Sequence, residues 1–344
     1  MTKIEPGKNN PTVQDVARAA NVSTATVSRA LSAPDRVSEK ARARVAEAIK
    51  QTGYVINHAA RNLRRRQTGT IVALVPDIGN SHFSNILNGI ESVCAENDLN
   101  VLIADTRKSS MSRTRLQTYF SHNNFDGIVI LDGEISVEEM RGSNLNLPPV
   151  VTAGEWCSDP TVPVALVDNL KGAELAVTHL IEQGHRSIGH ISGLLTHQPG
   201  RDRLEAFRTT LSQSGIDPTG AWVCQGDYSL AAGKNAALAW LDMSSRPTAV
   251  FCASDRSAFG FISTLHQAGV VVPRDVSVVG FDDIDVAQHY IPALTTVHQP
   301  RRAVGSSAAR HLLALMSGHM PENRLLRLDP WLVVRESTAP PGSG

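Results

Sequence analysis

The chain has 344 residues and a mass of 37.0 kDa, a length that predicts two or three domains. Hydrophobic residues make up 42%, which is typical of a globular protein and excludes a disordered chain. No apolar stretch approaches the roughly 18 residues of a membrane helix, and the polar residues 1–10 lack the apolar core of a signal peptide. We therefore expect a cytoplasmic protein with no membrane partner.

Charge is distributed unevenly, although the whole chain is neutral with 33 basic and 33 acidic residues. Residues 1–66 contain 13 Lys and Arg against 5 Asp and Glu, a net charge of +8. The rest of the chain carries the opposite charge, −8. A basic segment joined to an acidic body indicates a polyanionic partner for the basic part.

Residues 12–53 have the periodicity of three short helices. Thr12 can cap a first helix, in which apolar residues recur at i, i+3, i+4 and i+7. Ser23 can cap a second helix and Ser38 a third, which Gly53 ends. Three short helices joined by tight turns are typical of a helix-turn-helix bundle.

The second helix of such a bundle presents its first residues to base edges in the DNA major groove. Here that helix begins with Thr24 and Ala25, which are small enough to contact thymine methyl groups. One turn later it carries Arg29, the residue type that most often reads guanine. The hydroxyl side chains that could contact phosphate oxygens are Thr12, Ser23, Thr26, Ser28 and Ser32. The pattern also fits a bundle that binds protein and uses these hydroxyls only as helix caps.

A short basic segment follows the bundle, with a helical pattern over residues 57–66 that ends in three arginines. A helix this short is not stable alone in water. It could fold by pairing with its copy in a dimer, while Leu63 inserts between base pairs in the minor groove and bends the DNA. The alternative is a flexible basic linker.

From Thr70 onward, short β-branched runs alternate with amphipathic stretches. The predicted strands are 71–75, 101–104, 127–131, 162–167, 188–191, 249–253 and 276–281, and the predicted helices are 83–97, 111–122, 170–183, 201–214 and 256–267. This alternation predicts parallel sheets with helices on both faces. Because the region is too long for one small sheet, we expect an α/β body of two doubly wound lobes.

Acidic residues follow many of the predicted strands, at Asp77, Asp105, Asp132, Asp168, Asp227, Asp255 and Asp282. Ligands of open α/β sheets bind beyond the carboxyl ends of the strands. Carboxylates at this edge can accept hydrogen bonds from a ligand rich in hydroxyls, and Arg203 can donate several to it. The aromatic side chains of Phe83, Trp156 or Tyr228 could stack on such a ligand. The alternative is that each Asp only caps the following helix.

Signatures of enzymes and metal sites are absent. The sequence contains no GxSxG, HExxH, GxxxxGK[ST] or GxGxxG motif. The four cysteines are widely spaced, and His185 and His190 have poor spacing for metal ligands. We therefore predict no catalytic residue, no metal ligand and no cofactor.

Many separated motifs of the chain resemble, in the same order, the lactose/galactose-repressor (LacI/GalR) family of bacterial transcription factors. The resemblance spans residues 12 to about 337 and is nearest to the cytidine-repressor and purine-repressor branches. Its motifs include Thr12–Ala17, Asn21–Leu31, Val37-Ser38, Gly53-Tyr54, Ala60–Leu63, Val75–Asp77, Gly184–Gly189, Arg246–Cys252, Val276–Asp283 and Pro292–Pro300.

This resemblance implies an amino-terminal helix-turn-helix head and a hinge helix, followed by two lobes of the periplasmic-binding-protein-like type. It implies further DNA contacts at Asn57 and Ala60, and a homodimer on operator DNA. The effector-contact positions fall on His82, Phe83, Asp168, Arg203, Tyr228, Ser254, Asp255, Asp282 and Gln299. One difference is Ile56, where relatives usually have a proline that favours the start of the hinge helix.

The sequence thus predicts a DNA-binding repressor whose operator affinity depends on a small sugar or nucleoside bound between the lobes. The expected boundaries are 1–56 for the head, 57–68 for the hinge, 69–338 for the lobes and 339–344 for a disordered tail. One rival is a sugar-binding transport receptor, which would have an export signal and no basic head. The other is an enzyme acting on a sugar or nucleoside, which a turnover assay would reveal.

Overall fold

A computed structural model describes residues 11–54, 68–106, 125–141 and 147–342. The chain divides into two compact units, Met1–Arg66 and Gln67–Gly344. The predicted hinge residues Asn57, Ala60 and Leu63 lie outside the described residues, as does the helix predicted at 111–122.

The first unit is the predicted bundle of three helices, α1 (Val13–Ala20), α2 (Thr24–Ser32) and α3 (Glu39–Thr52). A short 3₁₀ turn, Pro34–Arg36, joins the last two. The small apolar core is formed by Val16, Ala17, Ala20, Val27, Val45 and Ala48. The turn between α1 and α2 is possible because Asn21 adopts the left-handed conformation, with φ of 51°.

The second unit contains two six-stranded sheets. The sheet of lobe 1 has the strand order β11-β5-β4-β3-β1-β2, and that of lobe 2 the order β12-β10-β9-β8-β6-β7. Every neighbouring pair is parallel except β10 and β12. The strands of lobe 1 are β1 (Thr70–Val75), β2 (Asn100–Asp105), β3 (Gly127–Ile130), β4 (Val150–Ala153), β5 (Val164–Val167) and β11 (Leu325–Leu328). Those of lobe 2 are β6 (Ile188–Ile191), β7 (Val223–Cys224), β8 (Ala249–Cys252), β9 (Ser277–Asp282), β10 (Thr295–His298) and β12 (Trp331–Val333).

Helices cover the two sheets as the predicted doubly wound arrangement requires. Lobe 1 carries α4 (Ser81–Glu96), α5 (Val137–Arg141) and α10 (Arg301–Met316). Lobe 2 carries α6 (Asn169–Glu182), α7 (Gln198–Gln213), α8 (Leu230–Leu241) and α9 (Asp255–Gln267). The sequence patterns predicted four of these seven helices and missed α5, α8 and α10.

The chain passes between the lobes three times: from β5 to α6, from β10 to α10 and from β11 to β12. Helix α10 therefore returns to lobe 1 and packs against α4. A β-carbon on Gly89 would lie 2.1 Å from the Arg302 carbonyl oxygen, and one on Gly305 would lie 2.0 Å from that of Ile86. These two glycines are required because the backbones of α4 and α10 touch.

Ala339, the residue after the boundary predicted at 338, is held in lobe 2. Its carbonyl oxygen accepts hydrogen bonds from His185 Nε2 and Ser277 Oγ, both at 2.9 Å. The other ring nitrogen of His185, Nδ1, forms a hydrogen bond with Thr248 Oγ1. His185 therefore ties the end of the chain to the lobe, a role that its sequence position did not indicate.

His190 lies in the core of lobe 2 and is fully buried on β6. Its ring is stacked between those of Phe207 and Phe251, at 5.1 and 4.8 Å between centroids. Nδ1 donates to the Phe251 carbonyl oxygen at 2.9 Å, whereas Nε2 has no hydrogen-bond partner. Burial lowers the pKa of His190 to about 3, so the imidazole is neutral in the folded protein.

This histidine predicts acid instability of the second unit. Since the unfolded chain binds a proton near pH 6.5 and the folded chain only near pH 3, stability is retained above pH 6.5 and is lost as the pH falls toward 3. All four tryptophans lie in this unit, so their fluorescence can report its unfolding in urea. The free energy of unfolding of the wild type should fall by up to about 1.4 kcal/mol per pH unit in this range because of His190, and we expect His190→Leu to abolish this contribution. Exposed His266→Leu is the control, and the same pH dependence in both variants would contradict the assignment.

Candidate functional site

A cavity of about 140 Å³ lies between the two lobes of the second unit, where the carboxyl ends of their strands face each other. Lobe 1 contributes residues that follow β1, β3 and β4 and the first turn of α4. Lobe 2 contributes residues that follow β8, β9 and β10, the first turn of α7 and the loop before α8. The cavity therefore occupies the place where ligands bind in open α/β sheets.

Seven of the nine predicted effector residues line this cavity: His82, Phe83, Arg203, Tyr228, Ser254, Asp282 and Gln299. They come from six separate segments of the chain, which the fold brings to one place. Trp156 was predicted as a stacking residue but does not line the cavity. Three chemically important lining residues were missed by the sequence reasoning: Glu155, Asn169 and His197.

Arg203 is buried on α7, and several contacts fix its guanidinium group. Nε and Nη2 donate to Asn169 Oδ1 at 3.0 and 2.8 Å, and Nη1 donates to the Ala253 carbonyl oxygen. The guanidinium carbon lies 3.7 Å from the centre of the Phe281 ring. These contacts use three of its five N–H groups, so two remain to donate to a ligand. Asn169 is the first residue of α6, directly after the first passage of the chain between the lobes. Its hydrogen bonds therefore link Arg203 to that passage.

Asp282 is the buried carboxylate of the cavity. Burial alone would raise its pKa, but His82, Arg203 and Arg301 act against burial and lower the pKa below its usual range. Gln299 Nε2 donates to Asp282 Oδ1 at 2.5 Å, and His82 Nδ1 lies 3.3 Å from the same oxygen. Asp282 is therefore ionised and can accept hydrogen bonds from ligand hydroxyls.

Tyr228 forms part of the wall in an unfavourable backbone conformation, with φ of 67°. A β-carbon on Gly193 would lie 2.0 Å from its ring, so the ring packs directly on that glycine. Ser254 Oγ donates to the Tyr228 carbonyl oxygen at 3.2 Å. Asp282 also has a positive φ, 126°. Backbone strain at two cavity residues is typical of a functional site that the surrounding fold holds in place.

Four charge pairs join the lobes around the cavity. Each has one member on either lobe: His82 with Asp282 at 3.3 Å, Glu155 with His197 at 3.4 Å, Glu134 with His197 at 3.8 Å, and Asp77 with Arg256 at 4.0 Å. Because the partners belong to different lobes, opening the cavity separates them. The pairs therefore favour the closed arrangement seen here.

Asp168 and Asp255 do not line the cavity, so the structure does not support ligand contacts at these two predicted positions. Asp168 caps α6 by accepting from the Lys171 amide at 3.0 Å, and it is the next residue, Asn169, that lines the cavity. Asp255 is fully buried and accepts hydrogen bonds from the Ile284 amide and the Thr296 hydroxyl. Both carboxylates are therefore occupied by the fold itself.

Other aspartates at strand ends form local turns. Asp77, Asp132 and Asp227 each accept a hydrogen bond from the backbone amide two residues further on, at 3.0, 2.9 and 3.0 Å. These bonds are not the predicted helix caps, because α4 is capped by Asn80 and α8 by Ser229. Asp227 also lines the cavity, so Asp227 and Asp282 are the aspartates of this set that reach it.

A separate candidate site is the exposed face of α2 in the first unit. Thr24, Ala25 and Arg29 are exposed on it, while Val27 is turned inward. This is the orientation that base contacts by a second helix require.

The hydroxyl side chains near α2 have structural partners. Thr12 and Asp15 form a capping box at the start of α1. Ser23 Oγ accepts from the Thr26 amide at 3.1 Å and lies 2.9 Å from the Thr26 hydroxyl, and Ser28 is half-buried. Capping, which the sequence left open, is thus shown for Thr12 and Ser23. Phosphate contacts by these residues and by Ser32 stay predictions.

Comparison with known protein families and structures agrees with this architecture. Residues 12–57 match the family described as "Bacterial regulatory proteins, lacI family". Residues 177–338 match "Periplasmic binding protein-like domain". The HTH-type transcriptional repressor CytR of Escherichia coli (strain K12) is 38% identical over 340 residues, which is 98% of both chains. The chain belongs to the lacI family of bacterial regulatory proteins.

Further relatives support the assignment. The HTH-type transcriptional repressor PurR of Photobacterium profundum is 32% identical over 95% of this chain and 98% of its own. The Lac repressor dimer bound to operator and the anti-inducer ONPF superposes with a TM-score of 0.81, at 27% identity over 96% of this chain and all of that chain. A complex of the transcriptional regulator CelR with cellobiose has a TM-score of 0.72 and 32% identity, over 95% of this chain and all of that one. The predicted family and fold class are confirmed, and this lacI-family chain is a DNA-binding transcriptional regulator.

The described residues contain neither a membrane-spanning helix nor a metal-binding cluster. No helix among them is long and apolar enough to cross a membrane. Within the same ranges, no group of three His, Cys, Asp or Glu side chains is placed to hold a metal ion.

Asp255→Ala tests the structural role of this carboxylate. We expect the variant to lose about 1–3 kcal/mol of stability, because the Ile284 amide and Thr296 hydroxyl would be left buried without an acceptor. Urea unfolding followed by tryptophan fluorescence measures the loss, with exposed Asp285→Ala as the control. Unchanged stability of the Asp255 variant would show that the carboxylate is not a structural acceptor.

Proposed function

We propose that this lacI-family regulator is a homodimeric repressor whose affinity for operator DNA is set by a small sugar or nucleoside bound in the cavity. The observation that carries the proposal is the buried pair of Arg203 and Asp282 in a cavity between two lobes, in a chain that also has a DNA-recognition helix. A fixed guanidinium group and an ionised carboxylate suit ligand hydroxyls, which both donate and accept. The Lac repressor structure with ONPF and the CelR structure with cellobiose support the same ligand class.

The ligand would act by changing the relation between the lobes. Since the four charge pairs cross the cavity, a ligand that bridges the lobes favours the closed arrangement. The connection toward the DNA-binding unit begins on lobe 1, where the Asp126 carboxylate accepts from the amides of Thr68 and Gly69, both at 2.7 Å. Any movement of lobe 1 therefore moves these residues directly.

The thermodynamic consequence is reciprocal. A ligand can weaken operator binding only as far as the operator weakens ligand binding. Whether the ligand releases or recruits DNA depends on which arrangement of the lobes the operator-bound dimer prefers.

The two rival functions fit the chain less well. The basic unit of three helices with an exposed recognition face has no role in a transport receptor. An enzyme needs a nucleophile or base directed at the substrate, whereas the cavity carboxylates Asp282 and Glu155 are each paired with a histidine and the third, Asp227, accepts from the Ser229 amide. We therefore propose a cytoplasmic regulator without catalytic activity.

Arg29→Ala tests DNA recognition by α2. We expect the variant to lose about 1–3 kcal/mol of affinity for the specific operator and to discriminate less at the contacted base pair. Fluorescence anisotropy with operator and with scrambled duplex, at one salt concentration, measures both effects. The control is Lys50→Ala on α3, which removes a positive charge outside α2. An equal loss on both duplexes would mean that Arg29 contacts only phosphate.

Arg203→Ala tests control by the ligand. The variant should bind the operator as the wild type does but no longer respond to a ligand, because the guanidinium group that faces the cavity is gone. A thermal-shift screen of the wild type with ribose, cellobiose, cytidine and adenosine identifies the ligand. A ligand present at 100 times its dissociation constant adds about 2.7 kcal/mol to the free energy of unfolding. Operator binding is then measured with and without that ligand. A normal response of the variant would place the ligand elsewhere.

A further inference from the structure

A second cavity, of about 390 Å³, lies beside the first cavity described above and is also formed by residues of both lobes. Lobe 1 contributes Trp156, which follows β4, and Arg327 on β11. Lobe 2 contributes Leu170 on α6 and two acidic residues of α7, Asp202 and Glu205. Small-molecule sites typically have volumes of about 300–1,000 Å³, so the second cavity has room for a ligand of its own.

The apolar part of the second cavity is a surface that the fold leaves uncovered. Trp156 is 43% exposed and Leu170 is 37% exposed. The sequence predicts that Trp156 stacks on a ligand, yet this residue does not line the first cavity and lines the second instead. Because aromatic rings stack favourably and bury large apolar areas, an exposed indole in a cavity fits a ligand with an aromatic group.

Charges of both signs line the second cavity without partners. Among the described residues, neither Arg327 nor Glu205 has a side-chain hydrogen bond or an ion pair. Asp202 accepts a hydrogen bond from Gln198 Nε2 at 2.5 Å, but no cation of the same ranges pairs with it. The positive charge therefore belongs to lobe 1 and the two negative charges to lobe 2, and they do not pair with each other. A ligand that carries both signs of charge can pair with all three groups.

We propose that the second cavity binds a free aromatic α-amino acid. The carboxylate of this ligand accepts hydrogen bonds from the Arg327 guanidinium group, in the paired geometry that arginine favours. Its ammonium group donates to Glu205 and Asp202, and its ring stacks on Trp156. An amine without a carboxylate leaves Arg327 unpaired, and an acid without an ammonium group leaves the two carboxylates unpaired. A neutral sugar leaves all three charges unpaired.

A ligand in the second cavity acts on the same equilibrium as a ligand in the first. Because it joins residues of opposite lobes, it favours the closed arrangement. Gly154, Asn169 and Pro199 line both cavities, and Asn169 Oδ1 accepts two hydrogen bonds from Arg203. The two sites therefore share the side chain that orients the guanidinium group of the first cavity. Since coupling is reciprocal, each ligand strengthens the binding of the other by the same factor.

The test is calorimetric titration of the full chain, at about pH 7, with phenylalanine, phenethylamine and 3-phenylpropanoate. Phenethylamine is phenylalanine without the carboxylate, and 3-phenylpropanoate is phenylalanine without the ammonium group. We expect phenylalanine to bind at least about tenfold more tightly than either analogue, because each analogue leaves a charged side chain without a partner. Absence of phenylalanine binding would overturn the inference, as would equal affinity for the three probes.

Three substitutions locate the ligand, since none of the residues changed lines the first cavity. Arg327→Gln should weaken phenylalanine binding at least about tenfold without weakening phenethylamine binding. Glu205→Gln should weaken phenylalanine binding without weakening the binding of 3-phenylpropanoate. Trp156→Leu should weaken the binding of all three probes, because they share the aromatic ring.

The matched controls are Arg208→Gln and Glu182→Gln, which remove exposed charges of α7 and α6 outside both cavities. Both controls should bind the three probes as the wild type does. If Arg327→Gln bound phenylalanine as tightly as Arg208→Gln does, the ligand would not lie in the second cavity and the inference would be wrong.

Operator binding by the same samples tests the coupling and keeps the two proposals apart. Saturating phenylalanine should change the operator affinity of the wild type about fivefold or more, but not that of Arg327→Gln. An unchanged operator affinity of the wild type would contradict the coupling. A wild type that ignores every duplex contradicts the proposed function, whereas one that binds operator but not phenylalanine contradicts only the inference.

Discussion

The constraint on which the second unit depends is that charges buried between two lobes need partners on the opposite lobe. A carboxylate or cation removed from water costs several kcal/mol unless it is paired. Asp282 of lobe 2 has His82 of lobe 1, and His197 of lobe 2 has Glu155 of lobe 1. The closed arrangement satisfies these groups, and opening returns them to water. The charges are paired in the closed state and hydrated in the open state, so both states are accessible. A ligand can therefore shift the equilibrium between them.

The three passages of the chain between the lobes make this arrangement possible. Each passage joins the end of one strand to the start of an element in the other lobe, and residues at the first two passages line the cavity. Asn169 follows the first passage and holds Arg203, and Gln299 lies in the second and holds Asp282. Two of the residues that orient the ligand-binding groups are therefore parts of the connections themselves. A movement of the lobes therefore also changes the orientation of the ligand-binding groups.

The sequence predicted the architecture well and the site partly, for identifiable reasons. Strand and helix periodicities located most elements, but α8 was missed because its alanine-rich sequence shows little separation of polar and apolar faces. The resemblance located Arg203, Asp282 and Gln299, whose positions follow fixed motifs. It also selected Asp168 and Asp255, whose side chains turn away from the cavity. Glu155 and His197 could not be found from sequence, because they are 42 residues apart and meet only when the lobes close.

The same reasoning explains why similar polar residues serve different purposes in the two units. In the first unit the hydroxyls of Thr12 and Ser23 cap helices, because the amides at a helix start need acceptors whether or not DNA is present. In the second unit the helix starts are capped too, by Asp168 for α6 and Ser254 for α9. Among the described residues, the groups that remain after these local requirements are met include the outer face of α2, the free N–H groups of Arg203, the carboxylate of Asp282, and the buried polar atoms of Tyr228 and His197 that have no hydrogen-bond partner. Function is best sought in such groups, because the fold gives no other account of them.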